Sequence, residues 1–270
     1  MKNIKNPIIA LLALGLVTAA SAEEIKPLKV MLITGGCCHD YATQKDILKK
    51  GLEARANVVV DQIHTADSST SPDLPIYGNP DYAAGYDLVI HNECSAGISD
   101  EKVVEAVLAP HKKGIPAVNL HCAMHSYRVG DFKAKITETG APRTMWFEFL
   151  GLQSTGHGPK KPVAISYTDK EHPITRGLED WTTGDEELYN VLHVFDTARV
   201  LSKGVQEKDE AVITWTNDYN GTRVFSTTLA HFSKTVEDPR YLDLVTRGLL
   251  WATGKLDEKG EITEGYGPKR

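Results

Sequence analysis

Positive charge is in short supply in this chain. Its 30 Lys and Arg residues face 36 Asp and Glu residues, for a formal net charge of −6, and the two signs are interspersed. No basic stripe exists to grip a phosphate backbone, so nucleic acid is a poor candidate partner. The acidic balance serves solubility. Cysteine is scarce as well: Cys37, Cys38, Cys94 and Cys122 are all there are. Their spacing matches no zinc motif. Cys94 and Cys122 fall at the ends of expected strands, and Cys37 and Cys38 in the loop after the first one. That suits small buried thiols, with the redox state of Cys37 and Cys38 left open. Beyond the N-terminus no apolar run is long enough to span a bilayer, so a stable membrane anchor is not expected. Internal repeats are missing, and no pair of carboxylates stands out as the acid and base of a glycosidase.

The N-terminus carries one short apolar run. Lys2 and Lys5 precede Ile8 to Val17, and Ala20-Ser21-Ala22 follows as an A-x-A site. Residues 1–22 read as a secretory signal peptide cleaved after Ala22. No Cys follows to take a lipid, and export to a bacterial periplasm is expected, where disulfides are permitted.

The remaining length supports one core, expected over residues 23–256, with a polar and loosely held tail over 257–270. Leu28 to Thr34 is a buried strand ending in a Gly-Gly turn. Tyr41 to Arg55 has helical spacing, with Ile47, Leu48 and Leu52 on one face. Val58-Val59-Val60 and Asp87 to His91 continue the strands. A helix runs from an N-cap at Ser99 to Lys113, and Pro116 opens the strand that leads to His121. These apolar runs are continuous rather than alternating, which marks a doubly wound α/β fold with a mainly parallel sheet covered on both faces. Further on, Thr144 to Leu150 reads as a short helix, Lys161 to Asp169 and Val191 to Asp196 as strands. Asp218-Tyr219-Asn220-Gly221 turns a hairpin. Asp238-Pro239 opens a last helix whose buried stripe is Leu242, Val245, Leu249 and Ala252.

The most informative segment is Ala117 to Ser126. A buried strand runs into a helix, with His121 at the bend and Cys122 beside it. Such an elbow holds one side chain up at the carboxyl edge of a parallel sheet, where α/β enzymes do their chemistry. Three other segments set a histidine similarly: Gly35-Gly36-Cys37-Cys38-His39-Asp40, Thr155-Gly156-His157-Gly158 and Leu229-Ala230-His231. An imidazole-lined cleft is expected, with His39, His121, His157 and His231 converging. His157 sits between glycines, where backbone can approach a ligand. Asp40 either faces the site or caps the next helix. Arg128 would lie on the helix after the elbow, free to meet a sugar hydroxyl or an anion, or to form a surface salt bridge. His125, one turn past His121, would support it from behind. His172 sits in a turn built on Pro173 and Gly177.

These residues also carry a resemblance. Thr34-Gly35-Gly36 with His39-Asp40, Asn119 to Ala123, Gly156-His157, His172 to Leu178, Glu187-Leu188-Tyr189, Gly221 to Phe225, Leu229-Ala230-His231 and Leu249 to Ala252 occur in the order found in the ThuA-like (trehalose utilisation) family. That family is a branch of the class I glutamine amidotransferase-like fold, of flavodoxin-like three-layer architecture. Departures are Glu186 in place of the usual Asp, Ala230 in place of the usual Gly, and the Cys37-Cys38 pair. The resemblance implies a rim formed by Glu187 and Tyr189. It argues against glutaminase activity: His121 occupies the elbow, Ser233 stands where the triad acid would be, and Cys122 is offset by one residue.

The implied substrate is a small carbohydrate, loosely an oxidised (3-keto) disaccharide supplied by a sugar oxidoreductase. The expected catalytic residues are His121, His231 and Glu187. His39, Asp40, Arg128, His157 and Tyr189 are the expected substrate contacts. A divalent metal such as zinc would be drawn from His121, His157 and His231. Two other readings remain open: a non-catalytic carbohydrate-binding or partner protein, since fold does not fix function, and a thiol hydrolase using Cys122.

Overall fold

The structure is a computed structural model that describes residues 25–269; the signal-peptide reading lies outside them. The first half alternates strands and helices: β1 (Leu28–Gly36), α1 (Tyr41–Glu53), β2 (Val58–His64), β3 (Leu88–Cys94), α2 (Glu101–Lys112) and β4 (Ala117–Leu120). A 3-10 turn (His121–His125) and α3 (Met145–Leu150) follow. The second half is strand-rich: β5 (Leu152–Tyr167), β6 (Trp181–Val194), β7 (Ala198–Gln206), β8 (Asp209–Tyr219) and β9 (Thr222–Thr227), closed by α4 (Ser233–Val236) and α5 (Pro239–Ala252).

All nine strands join one sheet in the order β2-β1-β3-β4-β9-β8-β7-β5-β6. From β2 to β9 every pair is parallel; from β9 to β6 every pair is antiparallel. The α/β class and its double winding are as expected, and the sheet is more mixed than a mainly parallel one. Alternate residues of β1 feed opposite layers. Val30 and Leu32 join a core with Leu48 and Leu52 of α1 and Leu242, Val245 and Leu249 of α5. Met31 and Ile33 join a second core with Val104, Val107 and Leu108 of α2 and Phe147 and Phe149 of α3. A strand buried on both faces must be apolar at every position, which is why its sequence does not alternate.

Several expected boundaries move. The cap of α2 is Asp100 rather than Ser99; its carboxylate accepts from the N–H groups of Lys102 and Val103. The expected strands at 161–169 and 191–196 are the outer parts of a long antiparallel pair, β5 and β6, whose polar residues hid its length. The tail is not loose. Asn57 N–H donates to Tyr266 C=O at 3.0 Å, the Asn57 amide donates to Gly265 C=O at 2.9 Å, and Tyr266 packs on the first core. Among the described residues no helix is long and apolar enough to cross a membrane.

Helix α5 lies close on β9 because it presents Gly248 there. A Cβ at this position would stand 2.4 Å from the buried Phe225 ring. Alanine normally gains about 1 kcal/mol over glycine inside a helix, but overpacking a core costs about 1–3 kcal/mol. Gly248→Ala should therefore lower the urea midpoint. Gly184→Ala, where nothing lies within 4 Å, should leave it nearly unchanged. Equal midpoints for both variants would contradict this packing.

Candidate active site

The ends of β1, β4 and β9 deliver the histidines; β4 and β9 are neighbours, and β3 lies between β4 and β1. Beyond β1 the chain crosses the end of β3, and Gly36, at φ 97°, permits it: a Cβ there would meet the Cys94 carbonyl at 2.2 Å. Cys37, Cys38 and His39 follow. Asp40 then caps α1, its carboxylate accepting from Thr43 N–H at 3.2 Å. β4 ends at Leu120, and the next residue, His121, has φ 44°, a left-handed value uncommon for a residue with a side chain and found where strain serves a functional site. β9 leads to Ala230, at φ 96°, and His231.

The strained Ala230–His231 turn is clamped. Both oxygens of the buried Glu186 carboxylate are used: Oε2 accepts from Ala230 N–H at 2.7 Å and Oε1 from His231 N–H at 2.8 Å. The Gln44 amide donates to the His231 carbonyl at 3.1 Å. Neither Glu186 nor Gln44 was a candidate from sequence. Glu186 stood out there only as a departure from a motif, and Gln44 is a polar residue on a helix with no local signal.

The side chains of His39, His121 and His231 close on one point, each offering a ligand atom within 4.8 Å of the others. Glu187, from β6, faces them. Its Oε2 lies 3.4 Å from His121 Nε2 and its Oε1 lies 3.2 Å from His231 Nδ1. Both ring nitrogens are buried and have no hydrogen-bond partner. The opposite nitrogens of two rings are committed. His121 Nδ1–H donates to Thr228 C=O at 2.6 Å, and His39 Nδ1–H to His231 C=O at 3.3 Å. The His39 bond leaves its Nε2 lone pair free, and the His121 bond would do the same once an ion replaced the contact with Glu187, the usual support of a metal-binding imidazole. Three convergent nitrogens, two of them orphaned, beside a carboxylate fit a divalent ion of the zinc type.

Electrostatics favour the same states. Burial, helped by the neighbouring His121 and His231, lowers His39 from its ordinary 6.5 to about 3, so its ring is neutral at pH 7. Burial pushes the Glu187 carboxyl up, but contact with His121 and His231 outweighs it and holds the group well below the usual carboxylate range. His39 and His231 also line an open cleft of 1210 Å³, with Asp40, Lys160, Trp181, Asp185 and Phe232 among its other walls.

The remaining candidates are placed as follows. His157 is on β5, inside a strand rather than a glycine loop; its Nδ1 is 3.5 Å from Glu187 Oε1 and its side chain is 42% exposed. It stands outside the three-imidazole group, and His39 occupies the ligand position expected of His157. Tyr189 is 1% exposed and so not on a rim; it stacks face to face on His125 at 4.2 Å and lies 5.0 Å from His121. Glu187, 4% exposed, is likewise interior. The turn after His121 ends at His125, so Arg128 is beyond it, with its guanidinium over the Phe132 ring at 4.5 Å. On an α-helix His121 and His125 would share a face; here His125 turns away and pairs with Ser154 Oγ at 2.9 Å. Cys122 is buried, and its hydrogen bond to Cys94 together with burial pushes its thiol well up, a poor start for a nucleophile.

A second polar network escaped the sequence. Inside the second core, His91 Nδ1 meets Glu93 Oε1 at 2.8 Å, His91 Nε2 meets His111 Nε2 at 3.1 Å, and the Tyr127 hydroxyl donates to Glu93 at 2.7 Å. It does not reach the cleft lining.

The family model for ThuA, trehalose utilisation, matches residues 29–252. No curated protein matches. A ThuA-like protein from Parabacteroides merdae ATCC 43184 has a TM-score of 0.64 at 20% identity, over 91% of this chain and 98% of that one. A ThuA-like protein from Bacteroides uniformis ATCC 8492 has 0.59 at 17%, over 89% and 97%. A GMP synthase component from Thermoplasma acidophilum has 0.51 at 10%, over 85% and 96%. At these identities the likeness to solved structures establishes the fold, with the glutamine amidotransferase-like architecture among its relatives.

The buried neutral His39 has a consequence for acid stability. Between its unfolded value of 6.5 and its folded value of about 3, the unfolded chain binds a proton that the folded site refuses. Stability from this group is complete above pH 6.5 and falls as pH drops through that window. In the presence of chelator, His39→Gln should flatten the fall of the urea midpoint between pH 7 and pH 4. His111, lowered to about 3, His172, lowered to about 4, and His125, held well below its ordinary value by burial, contribute to the slope that remains. An unchanged slope in the variant would show that His39 is not buried as described.

Proposed function

The chain belongs to the ThuA (trehalose utilisation) family, and from that premise we propose that it acts on an oxidised (3-keto) glycoside or disaccharide, such as a trehalose derivative, by C–O cleavage or isomerisation. The observation that carries this reading is the grouping of His39, His121 and His231 around the ionised Glu187 at a cleft. A 3-ketone acidifies the C2 proton. A base takes that proton, the C1–O bond breaks by elimination with the departing sugar oxygen taking a proton, and water adds across the new double bond to give two free sugars. The chemistry asks for a base that works near pH 7 and for positive charge beside the enediolate oxygen.

The site offers both. A divalent ion such as zinc, held by His39, His121 and His231, would supply Lewis acidity at the ketone. Without an ion, His231 is the better base: it lines the cleft, and Glu187 Oε1 facing its Nδ1 would orient the ring and balance its charge. A carboxylate held as low as Glu187 takes protons poorly, so its role is to orient and to balance charge. Phe232, 38% exposed, and Trp181 give the cleft apolar faces for a sugar ring, with Asp40, Lys160 and His157 near for its hydroxyls. A sugar oxidoreductase would supply the ketone. Export to a periplasm, with cleavage after Ala22, is part of the proposal and rests on Lys2, Lys5, the Ile8–Val17 run and Ala20-Ser21-Ala22.

The test is turnover of 3-keto-trehalose and related ketosides by the pure protein, with and without chelator. Losing a base or a ligand should cost on the order of 10²–10⁴-fold in rate. His121→Gln and His231→Gln should lose that much while keeping their melting temperature, and Cys122→Ser should keep most activity. Loss of turnover on chelation assigns His231 to a metal; turnover that survives chelation assigns it to proton transfer. Tight sugar binding with no turnover of any ketoside would replace the proposal with a carbohydrate-binding protein. A dead but folded Cys122→Ser beside active histidine variants would replace it with a thiol hydrolase.

A further inference from the structure

All four cysteines of the chain meet in one place, although they come from three separate strand ends. Cys37 and Cys38, after β1, are joined by a disulfide. Cys94, the last residue of β3, brings its Sγ within 3.4 Å of Cys37 Sγ. Cys122, after β4, brings its Sγ within 3.0 Å of Cys94 Sγ and donates a hydrogen bond to it. Since β1, β3 and β4 are neighbours in the sheet, the sulfurs follow the strand order as one continuous line. The line runs from solvent to core: Cys38 is exposed and lines the cleft, Cys37 is half-buried, and the thiols Cys94 and Cys122 are buried. Chance placement of four small side chains does not require contact between successive sulfurs. A chain of contacts ending in one disulfide and two thiols is what thiol–disulfide exchange needs.

We propose that these residues form a thiol–disulfide exchange site in which a single disulfide moves along the line. In the first step the Cys94 thiolate attacks Cys37 Sγ. The Cys94–Cys37 bond forms, the Cys37–Cys38 bond breaks, and Cys38 leaves as a thiolate that takes a proton from solvent in place of the one Cys94 gave up. The second step is the slower one, because the bond to Cys94 and burial hold the Cys122 thiol well up: Cys122 gives up a proton, matched by the one Cys37 later takes, and attacks Cys94 Sγ. The Cys122–Cys94 bond forms and Cys37 leaves as a thiolate and is protonated. The number of disulfides stays at one, so neither step needs an oxidant or a reductant. The exposed Cys38 is the point at which an external thiol or disulfide would enter or draw from the line.

The position of the disulfide bears on the imidazole cluster. Cys38 precedes His39 and Cys122 follows His121. A bond at Cys37–Cys38 constrains the loop that carries His39; a bond at Cys94–Cys122 ties the His121 elbow to β3. This inference stands apart from the carbohydrate reading, because its steps use no histidine and no sugar.

The experiment is acid quenching of the native full-length protein, alkylation of free thiols, and mass mapping of the disulfide-linked peptides. The wild type should yield peptides linked through Cys37–Cys94 or Cys94–Cys122 beside those with Cys37–Cys38. Cys94→Ser should confine the bond to Cys37–Cys38. Cys38→Ser, equilibrated with glutathione disulfide, should trap Cys37–Cys94 or Cys94–Cys122, and Cys122→Ser should still reach Cys37–Cys94. Circular dichroism melts establish that each variant is folded. The proposal is overturned if the wild type holds only Cys37–Cys38, with Cys94 and Cys122 fully alkylated, and folded Cys38→Ser stays free of internal disulfides. It is equally overturned if all four thiols are alkylated without prior reduction.

Discussion

The buried carboxylate of Glu187 is the constraint from which the site follows. An ionised carboxylate at 4% exposure is costly unless positive or donating groups surround it. Here His121 and His231 face its two oxygens, with His157 and Lys160 further out at 3.5 and 3.8 Å. The same arrangement leaves nitrogens on two buried rings without hydrogen bonds. Native interiors rarely leave such atoms unpartnered unless a function uses them. The cluster is therefore a place where local stability is given up, and a cation bound among the rings would recover it.

The backbone has been bent to make this cluster. His121 and Ala230 both have positive φ, a conformation that costs of order 1–3 kcal/mol for a residue with a side chain. Each is held by a specific bond. The Thr228 carbonyl takes the His121 ring proton, and the two Glu186 oxygens take the N–H groups of Ala230 and His231. Thr228 and Ala230 belong to the same segment after β9, so the two strained residues brace each other through it. The sheet supplies the frame: β4 and β9 are parallel neighbours, which sets the two histidines side by side.

Much of the parallel half was legible because its physics is local. A strand covered on both faces must be apolar throughout, and Leu28 to Thr34 shows it. The elbow at His121 was legible because a buried run stops at a polar residue. The antiparallel half was not. β5 and β6 carry Lys160, Lys161, Pro162, Asp185, Glu186 and Glu187, which break up the apolar pattern so that only 161–169 and 191–196 read as strand, and their pairing is interrupted by register shifts. Glu187 was reached only through a motif, and the clamp by Glu186 not at all, since its partners lie more than forty residues away. The exchange of His39 for His157 in the imidazole group has the same origin. Glycines on either side of His157 suggested a ligand-facing loop, whereas it lies within the long β5 strand, 42% exposed. His91, Glu93 and His111 had no periodic or motif signal, because their contact is made by tertiary packing of α2 against β3.

On the reading proposed above, His39, His121 and His231 would hold one divalent ion beside Glu187. A crystal equilibrated with zinc and measured at the zinc absorption edge tests it most directly. One anomalous peak per chain is expected, within about 2.0–2.1 Å of a ring nitrogen of each of the three histidines. A crystal with no peak there, or with zinc bound only at the cysteines, would contradict it.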